Sequence, residues 1–239
     1  MRIELQSVAK GPREASLPAT TASYRTGEAT LARAETEQRP TVLGLIASGR
    51  MRPDSGRVTI DGASDAGAIR RRVALVDAPG VSEPADDVSV AGIVAEELMF
   101  AGRGSHPIAV RRRLAELGAS EWARHGIGTV PPTVRIRLLC ELALMRKGVE
   151  GLVLVSPDRH GGDPVEWWQF ARELAGRGIA VLVIAGDASA AAIAAASPVS
   201  RLDEAGPSPV DDEPGRDDTD ELPDLIVQNM QNMQNAGNE

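Results

Sequence analysis

The sequence contains few of the residues that define several protein classes. Its 239 residues include one cysteine, Cys140, and three histidines. A single cysteine excludes an internal disulfide framework. The histidines, at positions 106, 125 and 160, are not spaced like the ligands of a metal site. We therefore expect neither a disulfide-stapled domain nor a bound metal ion.

Long apolar runs are also absent. A membrane-spanning helix needs about 20 apolar residues, whereas a run such as residues 179–185 has the length of a buried strand. The first eight residues, MRIELQSV, alternate like a strand and lack the charged-then-apolar pattern of a signal peptide. We expect a cytoplasmic protein with no segment inserted directly into a membrane.

The negative charge is concentrated in residues 203–239. The net charge of the chain is −8, and this segment holds eleven acidic residues against one basic residue, Arg216. Residues 1–202 therefore carry about +2. A body so close to neutral lacks the basic surface of a nucleic-acid-binding protein, and no nucleic-acid partner is expected.

Residues 203–239 are predicted to form an acidic, disordered tail, because they are rich in Pro, Gly, Asp and Glu and poor in apolar side chains. Leu225, Ile226, Met230 and Met233 leave open a short docking helix within this tail.

The most informative stretch is residues 41–62, TVLGLIASGRMRPDSGRVTIDG. Its first apolar residues have helical spacing, and Gly49 suits the left-handed residue that ends a helix. A Pro-Asp-Ser-Gly turn, a short alternating strand and an Asp-Gly hairpin turn then follow. This stretch therefore predicts a helix, a turn, a strand and a second turn in that order.

The other elements are predicted from the spacing of their apolar residues. Strands are predicted at residues 2–8, 16–18, 28–33, 73–77, 151–155, 179–184 and 198–202. Helices are predicted at residues 88–98, 107–118, 133–147, 167–174 and 190–196.

The order of elements in residues 41–62 resembles the segment that follows the P-loop in ABC-transporter ATPase domains. The resemblance extends over residues 1–202 and implies an α/β fold of the P-loop NTPase-like, ABC ATPase type. Such a domain has an N-terminal antiparallel β subdomain, to which we assign the first three strands. It also has a mainly parallel core sheet flanked by helices, and a small helical subdomain, assigned to residues 86–147.

The helical subdomain is where members of this family meet their membrane permease. In the first predicted helix, Val90, Ile93, Val94 and Leu98 form an apolar stripe. We interpret the stripe as part of the core, with a partner interface as the alternative.

The resemblance also indicates where nucleotide-binding residues should lie. In a P-loop, G-x-x-x-x-G-K-[ST], backbone N–H groups surround phosphate oxygens, the Lys reaches the outer phosphates and the hydroxyl binds Mg²⁺. Aligned backwards from Thr41, the two glycine positions hold Arg33 and Gln38. The lysine position holds Arg39, and the hydroxyl position holds Pro40, which has no N–H to donate. The P-loop is therefore degenerate, and any remaining nucleotide contact would come from Arg39 and Thr41.

Two glutamates lie within the degenerate loop. Glu35 and Glu37 are expected near the positive end of the dipole of the helix that begins at Pro40. There they would occupy the field that a nucleotide uses and would repel its phosphates. The alternative is that residues 33–40 form an ordinary surface loop, and both interpretations predict poor ATP binding.

Five further nucleotide-handling positions also depart from the family pattern. They are the adenine-stacking aromatic, the Mg²⁺-ligating glutamine, the signature, the acidic pair and the switch histidine. The residues that align with them are Pro12, Ala78, Pro131 with Pro132, Ser156 with Pro157, and Gly186. Asp163 keeps the aspartate of the loop that crosses to a partner subunit in the family. A shifted alignment would instead give Asp158 a metal-binding role.

These departures imply a catalytically inactive ATPase-like protein, a pseudo-ATPase, because phosphoryl transfer depends on the positioning and charge stabilisation that the missing residues provide. We expect a non-catalytic or regulatory cytoplasmic subunit that pairs with a membrane permease, at the inner face of the membrane, or with a competent ATPase subunit. No cofactor is expected, and neither is an ATP-driven homodimer, since ATP joins that interface.

Two alternatives remain for the function. The first is a free-standing binding or regulatory module on the same scaffold. The second is a divergent but active ATP-binding subunit of an ABC transporter, and only in that case would ATP and Mg²⁺ be cofactors.

Overall fold

The computed structural model describes residues 1–36 and 39–196. Glu37, Gln38, the strand predicted at residues 198–202 and the predicted acidic tail lie outside the described residues. The strands are β1 (Arg2–Lys10), β2 (Leu17–Arg25), β3 (Ala29–Arg33), β4 (Ser55–Ile60), β5 (Val73–Val76), β6 (Gly151–Val155) and β7 (Ala180–Ala185). The α-helices are α1 (Pro40–Ala47), α2 (Ala66–Arg72), α3 (Val90–Phe100), α4 (Pro107–Glu116), α5 (Pro132–Ala143), α6 (Pro164–Gly176) and α7 (Asp187–Ala195).

One sheet is antiparallel and has the strand order β2-β1-β4. Ile3 in its central strand lies opposite Tyr24 of β2 and Ile60 of β4, and all three side chains are buried. The Tyr24 hydroxyl donates a hydrogen bond of 2.8 Å to the carbonyl of Ala47, at the end of α1. This bond ties the antiparallel sheet to the helix.

The second sheet is parallel and has the order β3-β7-β6-β5. Every residue of β6 and β7 is buried, as expected when helices cover both faces of a parallel sheet. Val153 and Ile184 pack in the cluster that contains α1, whereas Leu152 and Val183 pack in the cluster that contains α5 and α6. The α/β fold class predicted from the sequence is confirmed.

The assignment of residues 28–33 to the antiparallel sheet is wrong. This segment forms β3, which pairs in parallel with β7, with Ala29 opposite Val181. The third antiparallel strand is β4 instead. The strand predicted at residues 16–18 is in fact the nine-residue β2, and Pro18 is tolerated there because β2 lies at the sheet edge.

The elements predicted for residues 41–62 are all present. Gly49 ends α1 with φ +71°, and a Cβ there would lie 2.8 Å from the carbonyl oxygen of Ala66. Asp61 and Gly62 both have positive φ, the geometry of a type I′ turn. The turn is followed by α2, whose last three residues are Arg70, Arg71 and Arg72.

The helices of the predicted helical subdomain begin and end within a few residues of the predicted bounds. The stripe of Val90, Ile93, Val94 and Leu98 is buried in a hydrophobic cluster with residues of α4 and α5, so it belongs to the core. Within residues 1–36 and 39–196, no helix has both the length and the apolar composition needed to cross a membrane.

Candidate functional site at the strand ends

A cavity of about 1090 Å³ lies beyond the carboxyl ends of the parallel strands. It is lined by the segments that follow β3, β6 and β7 and by the first turn of α1. Ligands of open parallel sheets bind in this position, where loops from neighbouring strands converge. We call it the strand-end cavity and treat it as the candidate functional site.

The first turn of α1 offers few backbone donors to the strand-end cavity. Arg39, immediately before the helix, has a left-handed backbone with φ +47°. Pro40 has no N–H, and the N–H groups of Val42 and Leu43 donate to the carbonyl of Arg39 at 2.9 and 3.4 Å. These donors are therefore directed into the helix's own first turn, although helix N-termini commonly bind anions.

Two carboxylates bond to the N-terminus of α7. The N–H of Gly186 donates to Asp158 Oδ2 at 2.8 Å, and the N–H of Asp187 donates to Glu35 Oε1 at 2.5 Å. The Ser189 hydroxyl donates to the same Asp158 oxygen at 3.3 Å. Protein carboxylates therefore take the positions at this helix end that an anionic ligand would otherwise use.

The structure adds a contact that was not expected for Glu35. Its carboxylate bonds to the N-terminus of α7, and Glu35 lines the same cavity as the first turn of α1. Gly186 permits the close approach, because a Cβ at this position would lie 3.0 Å from Glu35 Oε1. Asp158, to which a shifted alignment would give a metal-binding role, accepts hydrogen bonds from Gly186 and Ser189. Among the described residues, no group of three or more His, Cys, Asp and Glu side chains is arranged to hold a metal ion.

Only some of the aligned motif positions line the strand-end cavity. Those that do are Arg39, Pro40, Thr41, Ser156 and Gly186. Ser156 follows β6 with φ +47°, and its N–H donates to the carbonyl of Ile184 at 2.7 Å. Pro157, beside it, is buried at the start of a 3-10 turn, Pro157–His160.

The remaining aligned positions lie outside the lining of this cavity. Pro12 begins a 3-10 turn after β1, and Arg33 ends β3, 3.8 Å from the carboxylate of Asp187. Pro131 precedes α5, and Pro132 is its first residue.

Asp163 and Ala78 have local structural contacts. Asp163 caps α6, where its side chain accepts a hydrogen bond of 2.8 Å from the N–H of Val165. Ala78 is buried after β5, and its N–H donates to the Ser82 hydroxyl at 3.1 Å. Neither residue contributes to the lining of the strand-end cavity.

A group of charged residues that sequence reasoning missed lies at the end of β5. We call Asp77, Arg135, Arg159 and His160 the Asp77 cluster. Arg135 donates to both carboxylate oxygens of Asp77, at 2.8 and 3.2 Å, and Arg159 donates to one of them at 3.1 Å. His160 Nε2 lies 2.9 Å from Asp77 Oδ2. The Asp77 side chain is completely buried, and that of Arg135 is 2% exposed.

The electrostatics of the cluster favour an ionised Asp77. Burial by itself raises the pKa of this carboxyl, but the hydrogen bonds from His160 and Arg135 and the charges of Arg135 and Arg159 outweigh it. The pKa of Asp77 is therefore held well below its usual range. The backbone of Asp77 is left-handed, with φ +55°, which Asp tolerates better than most residues.

The Asp77 cluster joins three parts of the fold. Asp77 follows β5 of the core sheet, Arg135 lies in α5, and Arg159 and His160 lie in the 3-10 turn after β6. A buried carboxylate requires a partner, so Asp77, directly after four apolar residues, could have signalled a buried ion pair. The sequence contains no signal that selects Arg135 among its 26 basic residues.

Comparisons with known proteins identify the fold but no close relative. The chain matches no protein-family model and no curated protein. A Pyrococcus furiosus protein described as an ABC transporter ATP-binding protein superposes with a TM-score of 0.58 at 13% identity, covering 78% of this chain and 92% of that one. A dimeric bacterial ABC transporter cassette superposes with a TM-score of 0.58 at 18% identity, covering 80% of this chain and 90% of that one. A nucleotide-free ATP-binding cassette superposes with a TM-score of 0.56 at 18% identity, covering 78% of this chain and 82% of that one. At these identities the likeness shows the fold alone, and that fold is the one of an ABC-transporter ATP-binding domain.

Proposed function

We propose that the protein is a non-catalytic, ATPase-like subunit of an ABC transport system. The observation that carries this proposal is the placement of Glu35 and Asp158 on the N-terminal N–H groups of α7, inside the strand-end cavity. Carboxylates in this position repel phosphates and use donors that an anionic ligand would need.

The residues of the strand-end cavity do not fit a Mg²⁺-bound nucleoside triphosphate. Phosphate cradles depend on several backbone N–H groups that point at the same anion. Here Pro40 supplies none, and the N–H groups of Val42 and Leu43 are bonded to Arg39. The described lining contains two cations, Arg39 and Arg159, and two carboxylates, Glu35 and Asp158, so it has no excess positive charge.

The Asp77 cluster supports a structural role that does not require a nucleotide. Arg135 belongs to α5 in the helical part of the fold, and its two bonds to Asp77 hold that part against the core sheet. A buried ion pair with good geometry and several hydrogen bonds restricts the relative orientation of the elements it joins. On this proposal the two parts keep one arrangement whether or not a ligand is present.

The partner on this proposal is a membrane permease or a competent ATPase subunit, met at the inner face of the membrane. Two observations support a partner surface on the helical part. Met99 and Phe100, at the end of α3, are 60% and 59% exposed, and Ile108 in α4 is 67% exposed. Large apolar side chains exposed close together mark interaction sites more often than isolated ones do.

A thermal-shift titration with Mg²⁺-ATP tests the loss of nucleotide binding. A ligand at 100 times its Kd stabilises the folded state by about 2.7 kcal/mol, and we expect no saturable shift. Arg39→Lys alone is expected to leave the response flat, because the carboxylates and Pro40 remain. A saturable shift that disappears in Arg39→Gln, or ATP hydrolysis by Arg39→Lys, would favour the divergent, active ATPase.

Co-purification tests the transport association. Tagged full-length protein is isolated from detergent-solubilised membranes of its own source, and a Met99→Ser/Phe100→Ser variant serves as the matched control. We expect a permease or an intact ATPase subunit with the native protein, and a reduced yield of it with the variant. Recovery of the protein alone in both preparations would favour the free-standing module.

A further inference from the structure

A second cavity, of about 830 Å³, lies at the opposite end of α1 from the strand-end cavity. It is bounded by the end of α1, by β4 and by α2, and the two cavities share no lining residue. We call it the basic groove. Its charged lining residues are Lys10, Arg50, Arg52, Arg57, Arg70 and Asp54.

The single acidic residue of the basic groove is already engaged. Asp54 Oδ1 accepts a hydrogen bond from Lys10 Nζ at 2.5 Å, and Asp54 Oδ2 accepts one from the N–H of Gly11 at 2.9 Å. Its negative charge is therefore directed at Lys10, and the four arginines are left without a compensating carboxylate in the lining.

Three of these arginines are held in place by neutral groups, and one of them is Arg57, whose Nε donates to Gln6 Oε1 at 2.7 Å. Arg50 Nη1 donates to the carbonyls of Ser48 and Val73, at 3.1 and 3.0 Å. Arg70 Nη1 donates to the carbonyl of Gly49 at 2.9 Å. Because Ser48 and Gly49 are consecutive, the two guanidinium groups approach neighbouring acceptors. Partial burial lowers the pKa of Arg50, and the charges of Arg146 and Arg70 lower it further.

The groove arginines differ in their bonding partners from a neighbouring arginine, Arg72. Arg72, two residues after Arg70, bonds to carboxylates of Asp61 and Glu150. Within the described part of the chain, no carboxylate oxygen lies within 4.0 Å of the guanidinium nitrogens of the four groove arginines. Hydrogen bonds to backbone carbonyls beyond the end of α1 account for the positions of Arg50 and Arg70. Among the residues that the structure describes, Arg52 and Arg57 make no such bonds to backbone carbonyls, and they face the same groove.

We propose that the basic groove binds a small anion that carries two or more phosphoryl groups. Arginine forms the forked hydrogen bonds that suit phosphate oxygens. Two guanidinium groups are already positioned by backbone carbonyls, and the volume lies within the roughly 300–1,000 Å³ typical of small-molecule sites. An anion there relieves the repulsion between crowded like charges. The groove lies outside the proposed non-catalytic role of the strand-end cavity and does not depend on it.

Isothermal titration of the full chain with inorganic tripolyphosphate, without Mg²⁺, tests the proposal. We expect saturable binding that weakens as salt is raised, since the contacts are ionic. In Arg52→Gln/Arg57→Gln, whose altered side chains are exposed, the affinity is expected to fall by about tenfold or more. A control variant, Arg124→Gln/Arg172→Gln, removes the same charge from exposed positions elsewhere and is expected to bind like the native protein.

Three outcomes would overturn the proposal. The first is that tripolyphosphate does not bind saturably, and the second is that Arg52→Gln/Arg57→Gln binds it with the native affinity. The third is that both double variants lose the same affinity for tripolyphosphate, which would indicate non-specific attraction. The Arg39→Gln variant distinguishes failure of the basic-groove proposal from failure of the proposed function. If tripolyphosphate binding is lost in Arg39→Gln alone, the anion occupies the strand-end cavity, and both proposals fail. If ATP binds in an Arg39-dependent way while tripolyphosphate still depends on Arg52 and Arg57, only the proposed function fails.

Discussion

The Asp77 cluster and the basic groove both concentrate arginine side chains, but they balance the charge in opposite ways. In the cluster, Arg135 and Arg159 donate to one buried carboxylate. In the groove, Arg50 and Arg70 donate to backbone carbonyls, which carry no net charge. The first arrangement is complete within the chain and holds the fold together. The second leaves positive charge facing an open cavity, which is the property expected of an anion-binding site.

The two ends of α1 sharpen this contrast. Its N-terminus faces the strand-end cavity, where Glu35 and Asp158 supply negative charge. Its C-terminus faces the basic groove, where arginines predominate. Both placements suit the helix dipole. The arrangement is the opposite of an intact P-loop, in which phosphate binds at the N-terminus of the helix, because here the positive charge lies at the C-terminal end.

Asp77→Asn should have the largest effect on the Asp77 cluster. Asn keeps the size of the side chain and tolerates the left-handed backbone, but among the described residues it leaves the buried Arg135 with only the exposed carboxylate of Asp86, 3.8 Å away. Breaking a buried pair in this way costs about 3–5 kcal/mol of the free energy of unfolding, to be measured by urea denaturation at pH 7. As control, Glu28→Gln breaks the exposed pair with Arg25 and should cost less than about 1 kcal/mol. If both variants lose a similar free energy of unfolding, the buried Asp77–Arg135 pair stabilises the fold no more than an exposed ion pair does.

The stability that Asp77 contributes should depend on pH in the acid range. Its pKa is lower in the folded state than in the unfolded chain, so the contribution is complete above about pH 4 and is lost as the pH falls through the folded pKa. Each unit of pKa difference corresponds to about 1.4 kcal/mol.

The measurement compares the native protein with Asp77→Asn between about pH 5 and pH 2. The difference in free energy of unfolding between them should shrink as the pH is lowered. A difference that stays constant over this range would mean that the carboxylate charge is not what holds the cluster.

Arg52→Glu should have the smallest effect and the opposite sign. A carboxylate placed among the groove arginines should increase the free energy of unfolding by up to about 1 kcal/mol at low salt. The gain should disappear in high salt, because exposed charges are screened. Arg124→Glu provides the matched control at another exposed position. If Arg52→Glu is destabilising while the control is neutral, the groove is not a region of uncompensated positive charge.

Several elements could be predicted from the sequence because their causes are local. Gly49 ends α1 and the Asp61-Gly62 turn follows β4, since positive φ favours these residues wherever they occur in the fold. The apolar runs of β6 and β7 were predicted as strands for an equally local reason. The identity of the sheet to which β3 belongs could not be found in this way, because its partner β7 lies about 150 residues further along the chain.

The candidate site was predictable only in part. The alignment from Thr41 placed Arg39 and Pro40 at the beginning of α1, and both line the strand-end cavity. It did not predict the contact of Glu35 with α7, because the carboxylate bonds to a backbone group 152 residues away. The Asp77 cluster was missed for the same reason, since Arg135 and His160 lie 58 and 83 residues from Asp77.

The sequence by itself determined the local conformation of this protein, its α/β fold class and the absence of an intact P-loop pattern. Backbone sterics and the spacing of apolar residues act over a few positions, so they can be read directly from the chain. Only the tertiary structure decided which charges are paired. It brings Asp77 to Arg135 and leaves Arg50 and Arg70 facing a cavity, because the partner of a charge depends on how distant segments pack together.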